Sequence, residues 1–111
     1  MKDVNIGDLN WEKMGGLIPV IAQDAGTLEV LTLAYIDQKA LKMSQETGWA
    51  HYFRRSHSRV MKKGETSGNV QRITEILTDC DNDAVIYLVD QKGPACHLRE
   101  RSCFHKKVTA R

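Results

Sequence analysis

The sequence predicts a mainly β protein with one or two short helices, and an α+β fold is the alternative. Three observations indicate this class. Short apolar runs of strand length recur along the chain. Residues that favour turns, chiefly Gly, Asp, Asn and Ser, separate these runs. One segment has both a helix start and a helix stop.

Local patterns place the predicted elements. In chain order they are a hairpin with strands at 17–22 and 28–35, a helix at 37–47, and strands at 49–54, 60–61, 70–78 and 84–89. Asp24-Ala25-Gly26 marks the turn of the hairpin. Asp37 is a candidate N-cap of the helix and Gly48 is its stop. The nearly all-apolar run at 84–89 predicts a central strand.

Two stretches of the chain are less regular. Residues 55–69 are rich in Gly and Ser, so they predict an extended loop around the short strand at 60–61. Residues 70–78 predict a strand, although Arg72 and Glu75 also permit a helix.

Chain length and composition indicate one domain over residues 1–111. A chain of 111 residues suffices for a single core, and its 41% hydrophobic and 27% charged residues are ordinary for a soluble globular protein. No apolar run approaches the roughly 18 residues of a membrane span. The N-terminus has no apolar signal segment. We therefore expect a cytoplasmic protein with no membrane partner.

Charge is unevenly distributed, although the net charge is only +2. Residues 51–72 contain six basic and one acidic side chain, and residues 73–96 contain one basic and five acidic side chains. A basic segment beside an acidic one suits a small phosphorylated ligand. A nucleic-acid-binding domain is usually strongly basic as a whole, so no nucleic-acid partner is expected.

The three cysteines, Cys80, Cys96 and Cys103, are candidate ligands of Zn²⁺. Their odd number and the reducing cytosol argue against disulfides, and the lack of a Cys-x-x-Cys pair argues against a zinc ribbon. Three thiolates leave one tetrahedral position for water, as in catalytic zinc sites, unless His97 or His105 fills it. The alternative is three buried cysteines that act as small hydrophobic side chains.

Alternate aspartates, Asp79, Asp81 and Asp83, form a candidate site for Mg²⁺. Carboxylate oxygens suit hard cations, and in an extended segment all three side chains would lie on one face, with Cys80 on the other. A calcium loop is one alternative, but Ala84 stands where such a loop has Gly. A solvated acidic turn is another.

The basic segment supplies candidate contacts to a substrate phosphate. Its glycines permit close approach of the backbone, and its hydroxyl and cationic side chains suit an anion. It is not a Walker A sequence, and an ordinary flexible loop is the alternative. The candidate substrate-binding residues are Arg54, Arg55, Arg59, Lys62, Lys63, Glu65, Thr66 and Ser67.

His97 is the candidate catalytic acid or base. It directly follows Cys96, so it would lie beside any zinc-activated water. Histidine suits proton transfer because its imidazole titrates near neutral pH.

Together these motifs resemble one family, the phosphoribosyl-AMP cyclohydrolases of histidine biosynthesis. The resemblance extends from about Trp11 to Phe104. Its most specific part is a series of three motifs, Asp79-Cys80-Asp81-Asn82-Asp83, Gly93-Pro94-Ala95-Cys96-His97 and Ser102-Cys103-Phe104. Further matching segments include Gly16-Leu17-Ile18-Pro19, His51-Tyr52-Phe53 and Lys63-Gly64-Glu65-Thr66-Ser67-Gly68-Asn69. The chain departs from the family pattern at Met61, Asn69 and Leu98-Arg99, which are not metal ligands.

The resemblance implies a small mixed-sheet pseudo-barrel in an interlocked homodimer that uses Zn²⁺ and Mg²⁺. Zinc would be shared, with Cys80 from one subunit and Cys96 and Cys103 from the other. The three aspartates would bind magnesium. Because no pyrophosphohydrolase domain follows before Arg111, the stand-alone form of the family is expected.

The implied reaction is hydrolytic opening of the adenine ring of 1-(5-phosphoribosyl)-AMP between ring nitrogen 1 and carbon 6. Its product would be phosphoribosyl-formimino-AICAR-phosphate. Zinc-activated water would attack carbon 6, in a step akin to that of zinc nucleobase deaminases. The alternative is a structural zinc-binding interaction module without catalysis, which would have four protein ligands on zinc and no turnover.

Overall fold

Six strands in two sheets form the framework of the described chain, residues 1–110 of a computed structural model. The strands are β1 (Ile18–Asp24), β2 (Val30–Ile36), β3 (His51–Arg54), β4 (Arg59–Lys62), β5 (Gln71–Thr78) and β6 (Val85–Gln91). The helices are α1 (Gln38–Thr47) and one turn of 3-10 helix at Ile6–Asp8. The prediction of a mainly β protein with one or two short helices is confirmed.

The larger sheet is mixed and has the strand order β2-β1-β6-β5. β1 pairs antiparallel with β2 and parallel with β6, and β5 pairs antiparallel with β6. β6 is therefore an interior strand, as its apolar sequence predicted. β3 and β4 form a separate two-stranded sheet. The expected mixed sheet is confirmed, whereas the homodimer stays a prediction.

Alternate residues of β1 and β6 form the centre of the core. Each of these strands buries every second residue, because successive side chains of a strand point to opposite faces. Ile18 and Val20 of β1 and Tyr87 and Val89 of β6 are fully buried. Leu41 of α1 belongs to the same cluster, so the helix packs on this centre.

The helix α1 begins and ends where its capping residues predicted. The Asp37 carboxylate accepts a hydrogen bond from the Ala40 amide at 2.7 Å, which satisfies a donor of the first turn. Gly48 has a φ of 80°, a left-handed conformation that glycine adopts without strain. Within residues 1–110, the helices are too short and too polar to cross a membrane.

Two segments that the sequence left open are strands. Residues 70–78, for which a helix was the alternative, contain β5, an edge strand whose Arg72 lies 3.7 Å from Asp90 of β6. β4 is longer than the strand predicted at 60–61, because its residues pair with all four residues of β3.

Buried hydrogen bonds attach the small sheet to the rest of the protein. The Tyr87 hydroxyl donates to Ser44 Oγ at 3.1 Å, and Ser44 Oγ accepts from the His51 amide at 2.8 Å. On the other side of β3, the Tyr52 hydroxyl donates to Gln71 Oε1. A buried network of this kind is costly to leave half satisfied, so it fixes β3 against α1, β5 and β6.

β6 separates the two groups of predicted metal ligands. The acidic loop, residues 79–84, precedes β6, and the cysteine loop, residues 93–103, follows it. The strand has 7 residues, which at about 3.3 Å per residue correspond to roughly 20 Å. Within one chain, Cys80 therefore precedes β6 at one end, while Cys96 and Cys103 follow the strand at its other end.

Candidate functional site

A pocket of about 460 Å³ opens between β2, the small sheet and the cysteine loop. Its walls combine an apolar side, with Leu33 and Tyr52, and a strongly polar side. The predicted site residues that line it are Arg54, Lys62, Lys63, Glu65, Thr66, Ser67, His97 and Cys103. The structure thus brings a thiol, an imidazole and several cations around one cavity.

The cysteine loop is closed by its own backbone hydrogen bonds. The Ala95 amide donates to the Arg101 carbonyl and the Cys96 amide donates to the Glu100 carbonyl, both at 3.1 Å. The Cys103 amide then donates to the Leu31 carbonyl of β2 at 2.7 Å. These bonds place Cys103 beside β2 at the pocket, with Cys96 in the same closed loop.

The two thiols of this loop differ in exposure. Cys96 is buried, with 6% of its surface exposed, whereas Cys103 is exposed and faces the pocket. Cys96 Sγ lies 3.8 Å from His105 Nε2 and accepts a hydrogen bond from the Leu98 amide at 3.4 Å. All three cysteines are free thiols.

Lys63 links the basic segment to the cysteine loop. Its ammonium donates to the Ala95 carbonyl at 2.8 Å, immediately before Cys96. Burial lowers the pKa of Lys63, and the negative charge of Cys103 opposes this shift in part. The charged ammonium is therefore partly desolvated at the wall of the pocket, where it attracts an anion more strongly than in bulk water.

Gly64 gives the basic segment its sharp turn toward the pocket. It has a φ of 79°, and a Cβ at this position would lie 2.5 Å from the Asn69 carbonyl carbon. A larger residue would have to displace backbone rather than a flexible side chain. This close approach holds Glu65, Thr66 and Ser67 in a compact loop at the edge of the pocket.

Arg55 and Arg59 do not line the pocket in this chain. The Arg55 guanidinium lies 4.1 Å from the centre of the Tyr35 ring. Arg59 lies 3.9 Å from the Glu65 carboxylate. Their contact with a substrate phosphate stays a prediction.

The acidic loop is a turn, the alternative named for this segment, and not an extended segment with its three aspartates on one face. The Asp79 carboxylate accepts hydrogen bonds from the amides of Asp83 at 3.0 Å and Ala84 at 3.3 Å, which folds the loop back on itself. Asn82 has a φ of 60° at the bend. The turn nevertheless gathers the three carboxylates, since one oxygen each of Asp79, Asp81 and Asp83 lies within 4.8 Å of the others.

The acidic loop already holds a cation, the ammonium of Lys13. Lys13 Nζ lies 2.7 Å from Asp83 Oδ2 and 3.7 Å from Asp81 Oδ2. The hydrogen bond and charge of Asp83 raise the pKa of Lys13, and Lys13 in turn lowers the pKa of Asp83. Interaction with the neighbouring Asp83 carboxylate raises the pKa of Asp81. A cluster that stabilises one cation fits a magnesium ion by charge and by donor type.

The three cysteines do not converge within one chain. Among residues 1–110, the aspartates of the acidic loop are the one group of three Asp, Glu, His or Cys side chains with ligand atoms within 4.8 Å of one another. Cys80 is exposed beside them, and β6, with a length of about 20 Å, separates the acidic loop from the cysteine loop. A zinc site that uses all three thiols therefore needs a second copy of the chain.

Residues 32–105 match the family model described as phosphoribosyl-AMP cyclohydrolase. The chain belongs to the phosphoribosyl-AMP cyclohydrolase family. The resemblance seen in the motifs is thereby confirmed, and the chain is a member of a family of enzymes.

Relatives match this chain over most of its length. It is 53% identical over 106 residues to the phosphoribosyl-AMP cyclohydrolase of Nitrosopumilus maritimus, covering 96% of this chain and 98% of the relative. It is 58% identical over 93 residues to that of Archaeoglobus fulgidus, covering 84% and 86%. It also matches the histidine biosynthesis bifunctional protein HisIE of Pyrococcus furiosus, 54% identical over 100 residues, covering 90% of this chain and 47% of that protein.

Three residues of the site were not found from the sequence. Tyr52 lines the pocket, and burial raises its pKa well above the usual range, so its ring serves as a neutral wall. Lys13 contacts the acidic loop across 70 residues of sequence, and Arg101 contacts Asp24 across 77. No local pattern marks contacts between residues so far apart in the chain.

Proposed function

We propose that this chain hydrolyses 1-(5-phosphoribosyl)-AMP, opening the adenine ring between nitrogen 1 and carbon 6. Water adds at carbon 6, and the bond to nitrogen 1 breaks. Nitrogen 1 keeps the electron pair and takes a proton, while the exocyclic nitrogen stays as a carboxamide. The product is phosphoribosyl-formimino-AICAR-phosphate. The observation that carries the proposal is the pocket in which Cys103 and His97 face the cations of the basic segment.

The proposed zinc ligands are Cys96 and Cys103 of one subunit and Cys80 of a second. Their support is the donor chemistry, since thiolates are soft ligands that suit zinc, and all three are free. When bound, zinc lowers the pKa of a water molecule to about 7 and so supplies hydroxide at neutral pH. The exposure of Cys80 leaves its sulfur accessible to another chain.

His97 is the residue proposed to move the proton. Its side chain is exposed at the pocket, and it directly follows Cys96. It can therefore reach the adenine ring of a substrate held beside the thiols. Nitrogen 1 leaves carbon 6 as the anion of an amidine unless it is protonated. A positioned acid removes that barrier, which is typical of general acid catalysis.

The cations of the pocket are proposed to hold a phosphate of the substrate. Arg54, Lys62 and Lys63 line the pocket, as do Thr66 and Ser67, whose side chains carry hydroxyls. Cationic and hydroxyl donors together match the oxygens of a phosphate. The Lys63 ammonium is partly desolvated by the protein, so its attraction to an anion is stronger than that of an exposed lysine.

Magnesium is proposed at the carboxylates of Asp79, Asp81 and Asp83, where it would contact a phosphate-bearing part of the substrate. Cys80 lies in the same acidic loop. A second subunit that supplies Cys80 to the zinc site would therefore bring its aspartates to the pocket as well. This arrangement reconciles the separation of the two loops along β6 with a single site.

An ultraviolet assay with phosphoribosyl-AMP tests the proposed activity. The protein loaded with zinc and magnesium is expected to turn over the substrate, to lose activity after zinc chelation, and to regain it when zinc is added back. Turnover by the metal-free protein would contradict the proposed chemistry. Zinc binding without any turnover would favour the structural zinc module.

Replacing Lys13 by methionine is expected to strengthen magnesium binding. The Lys13 ammonium neutralises Asp83 at 2.7 Å, so an incoming cation must displace it. For an exposed pair of this kind we expect a gain of about two- to fivefold in affinity. Calorimetric titration with Mg²⁺ measures the change. Lys42→Met is the control, since Lys42 pairs with Glu46 on α1, and unchanged or weaker binding by Lys13→Met would contradict the expectation.

A further inference from the structure

We propose that Arg101 is a positioning residue for the two thiols of the cysteine loop, and that it strengthens zinc binding by tying this loop to the turn between β1 and β2. The inference rests on the proposed zinc site. It assigns no ligand role to Arg101, whose guanidinium is bonded to the carboxylates of Asp24 and Glu29.

Arg101 connects the cysteine loop to two acidic residues of the β1–β2 hairpin. Its Nη2 donates to Asp24 Oδ1 at 2.8 Å, and its Nε donates to Glu29 Oε1 at 3.2 Å. Charge-assisted bonds of this kind are stronger than neutral ones, and two donors on one planar group also fix its orientation. The side chain therefore restrains both the position and the direction of the loop backbone at residue 101.

Asp24 is held in place before it meets Arg101. Its Oδ2 accepts hydrogen bonds from the Gly26 amide at 3.1 Å, the Thr27 amide at 2.8 Å and the Thr27 hydroxyl at 3.0 Å. Only 7% of Asp24 is exposed. A fixed, buried carboxylate with its second oxygen available to Arg101 is a rigid anchor. Its side chain cannot rotate to follow a shift of Arg101, and little water can take the place of the guanidinium.

The restraint at Arg101 reaches both cysteines through the backbone. The Arg101 carbonyl accepts from the Ala95 amide at 3.1 Å, next to Cys96. On the other side, the Ser102 hydroxyl donates to the Val30 carbonyl at 2.7 Å, next to Cys103. Arg101 thus lies where the two arms of the loop meet. Its carbonyl is bonded to the residue before Cys96, and Cys103 follows it by two residues.

The tip of the same loop is joined to Cys96 through the backbone, since the Arg99 amide donates to the Cys96 carbonyl at 3.0 Å. Leu98 and Arg99 are exposed, and Arg99 has a φ of 67°. Two ligands on a loop lose whatever conformational freedom they retain when a metal binds, and this loss weakens affinity. An anchor that orders the loop beforehand reduces that cost.

Zinc affinity measured by competition with a chromophoric chelator tests the role of Arg101. Arg101→Gln is expected to weaken zinc binding about 10- to 100-fold, the range seen when residues that orient metal ligands are removed. The visible spectrum of the Co²⁺-substituted protein should also change, since the thiolate geometry is altered. Arg101→Lys should recover part of the affinity. Arg99→Gln, in the same loop, is the matched control and should bind zinc as the wild type does.

The possible outcomes separate this inference from the zinc site itself. A wild-type protein that does not bind zinc would overturn both. If the wild type binds zinc and a folded Arg101→Gln variant has the same affinity and spectrum, the positioning role alone is overturned. If that variant does not fold, Glu29→Gln removes only the exposed partner, and we expect it to weaken binding about two- to fivefold. Unchanged binding by Glu29→Gln would then overturn the inference.

Discussion

Mixing Cys80→Ser protein with Cys103→Ser protein is expected to restore part of an activity that each variant lacks. Each variant alone has an incomplete set of thiolates at every site. A mixed dimer has one complete site, with Cys80 from one chain and Cys96 and Cys103 from the other. Removing a residue that merely orients a metal ligand lowers metal affinity or activity about 10- to 100-fold. Removing the ligand itself should therefore lower activity more than about 100-fold. Activity per mixed dimer should approach half that of the wild type.

The pairing of variants provides its own negative control. Cys80→Ser should also complement Cys96→Ser, because the two affected thiols lie in different loops. Cys96→Ser and Cys103→Ser should not complement each other, since each cysteine loop then lacks one thiol. Native mass spectrometry verifies that mixed dimers form. Recovery by the Cys96 and Cys103 pair, or none by verified Cys80 and Cys103 dimers, would contradict a shared site.

Replacing His97 by glutamine is expected to lower kcat about 10²- to 10⁴-fold, the usual contribution of a positioned acid or base. Zinc affinity should stay the same, because His97 is proposed to move a proton and not to bind the metal. Steady-state kinetics and chelator competition on the same samples separate the two effects.

His57→Gln is the matched control for this change. His57 is exposed in the turn between β3 and β4 and lies near Ser56, outside the lining of the pocket. Its replacement should leave kcat unaltered. Full activity in His97→Gln would exclude the assigned role, whereas loss of zinc from that variant would make His97 a ligand instead.

Local sequence signals predicted most of the fold because they act over a few residues. Asp37 and Gly48 fix the ends of α1 through contacts within four residues. The apolar run of β6 predicted an interior strand without reference to the rest of the chain. Arg72 was ambiguous for a physical reason: it lies on an edge strand and is exposed, so its side chain carries no information about burial.

The site was only partly predictable because its decisive contacts join distant parts of the chain. The candidate metal ligands stand in short motifs of Asp, Cys and His, so residue type alone identified them. Lys13 and Arg101 were missed, since each finds its acidic partner across 70 or more residues. The sequence offered a turn at the acidic loop only as an alternative. The turn forms because the Asp79 side chain competes with strand pairing for nearby amides, as aspartate commonly does.

The placement of the two loops at opposite ends of β6 has a consequence for metal retention. An isolated chain can offer at most the two sulfurs of its cysteine loop to one zinc ion. Under the proposed sharing, dissociation of the subunits and release of the metal become one coupled equilibrium. Zinc occupancy should then fall on dilution of the protein, and added zinc should shift the chains toward the assembled form by mass action.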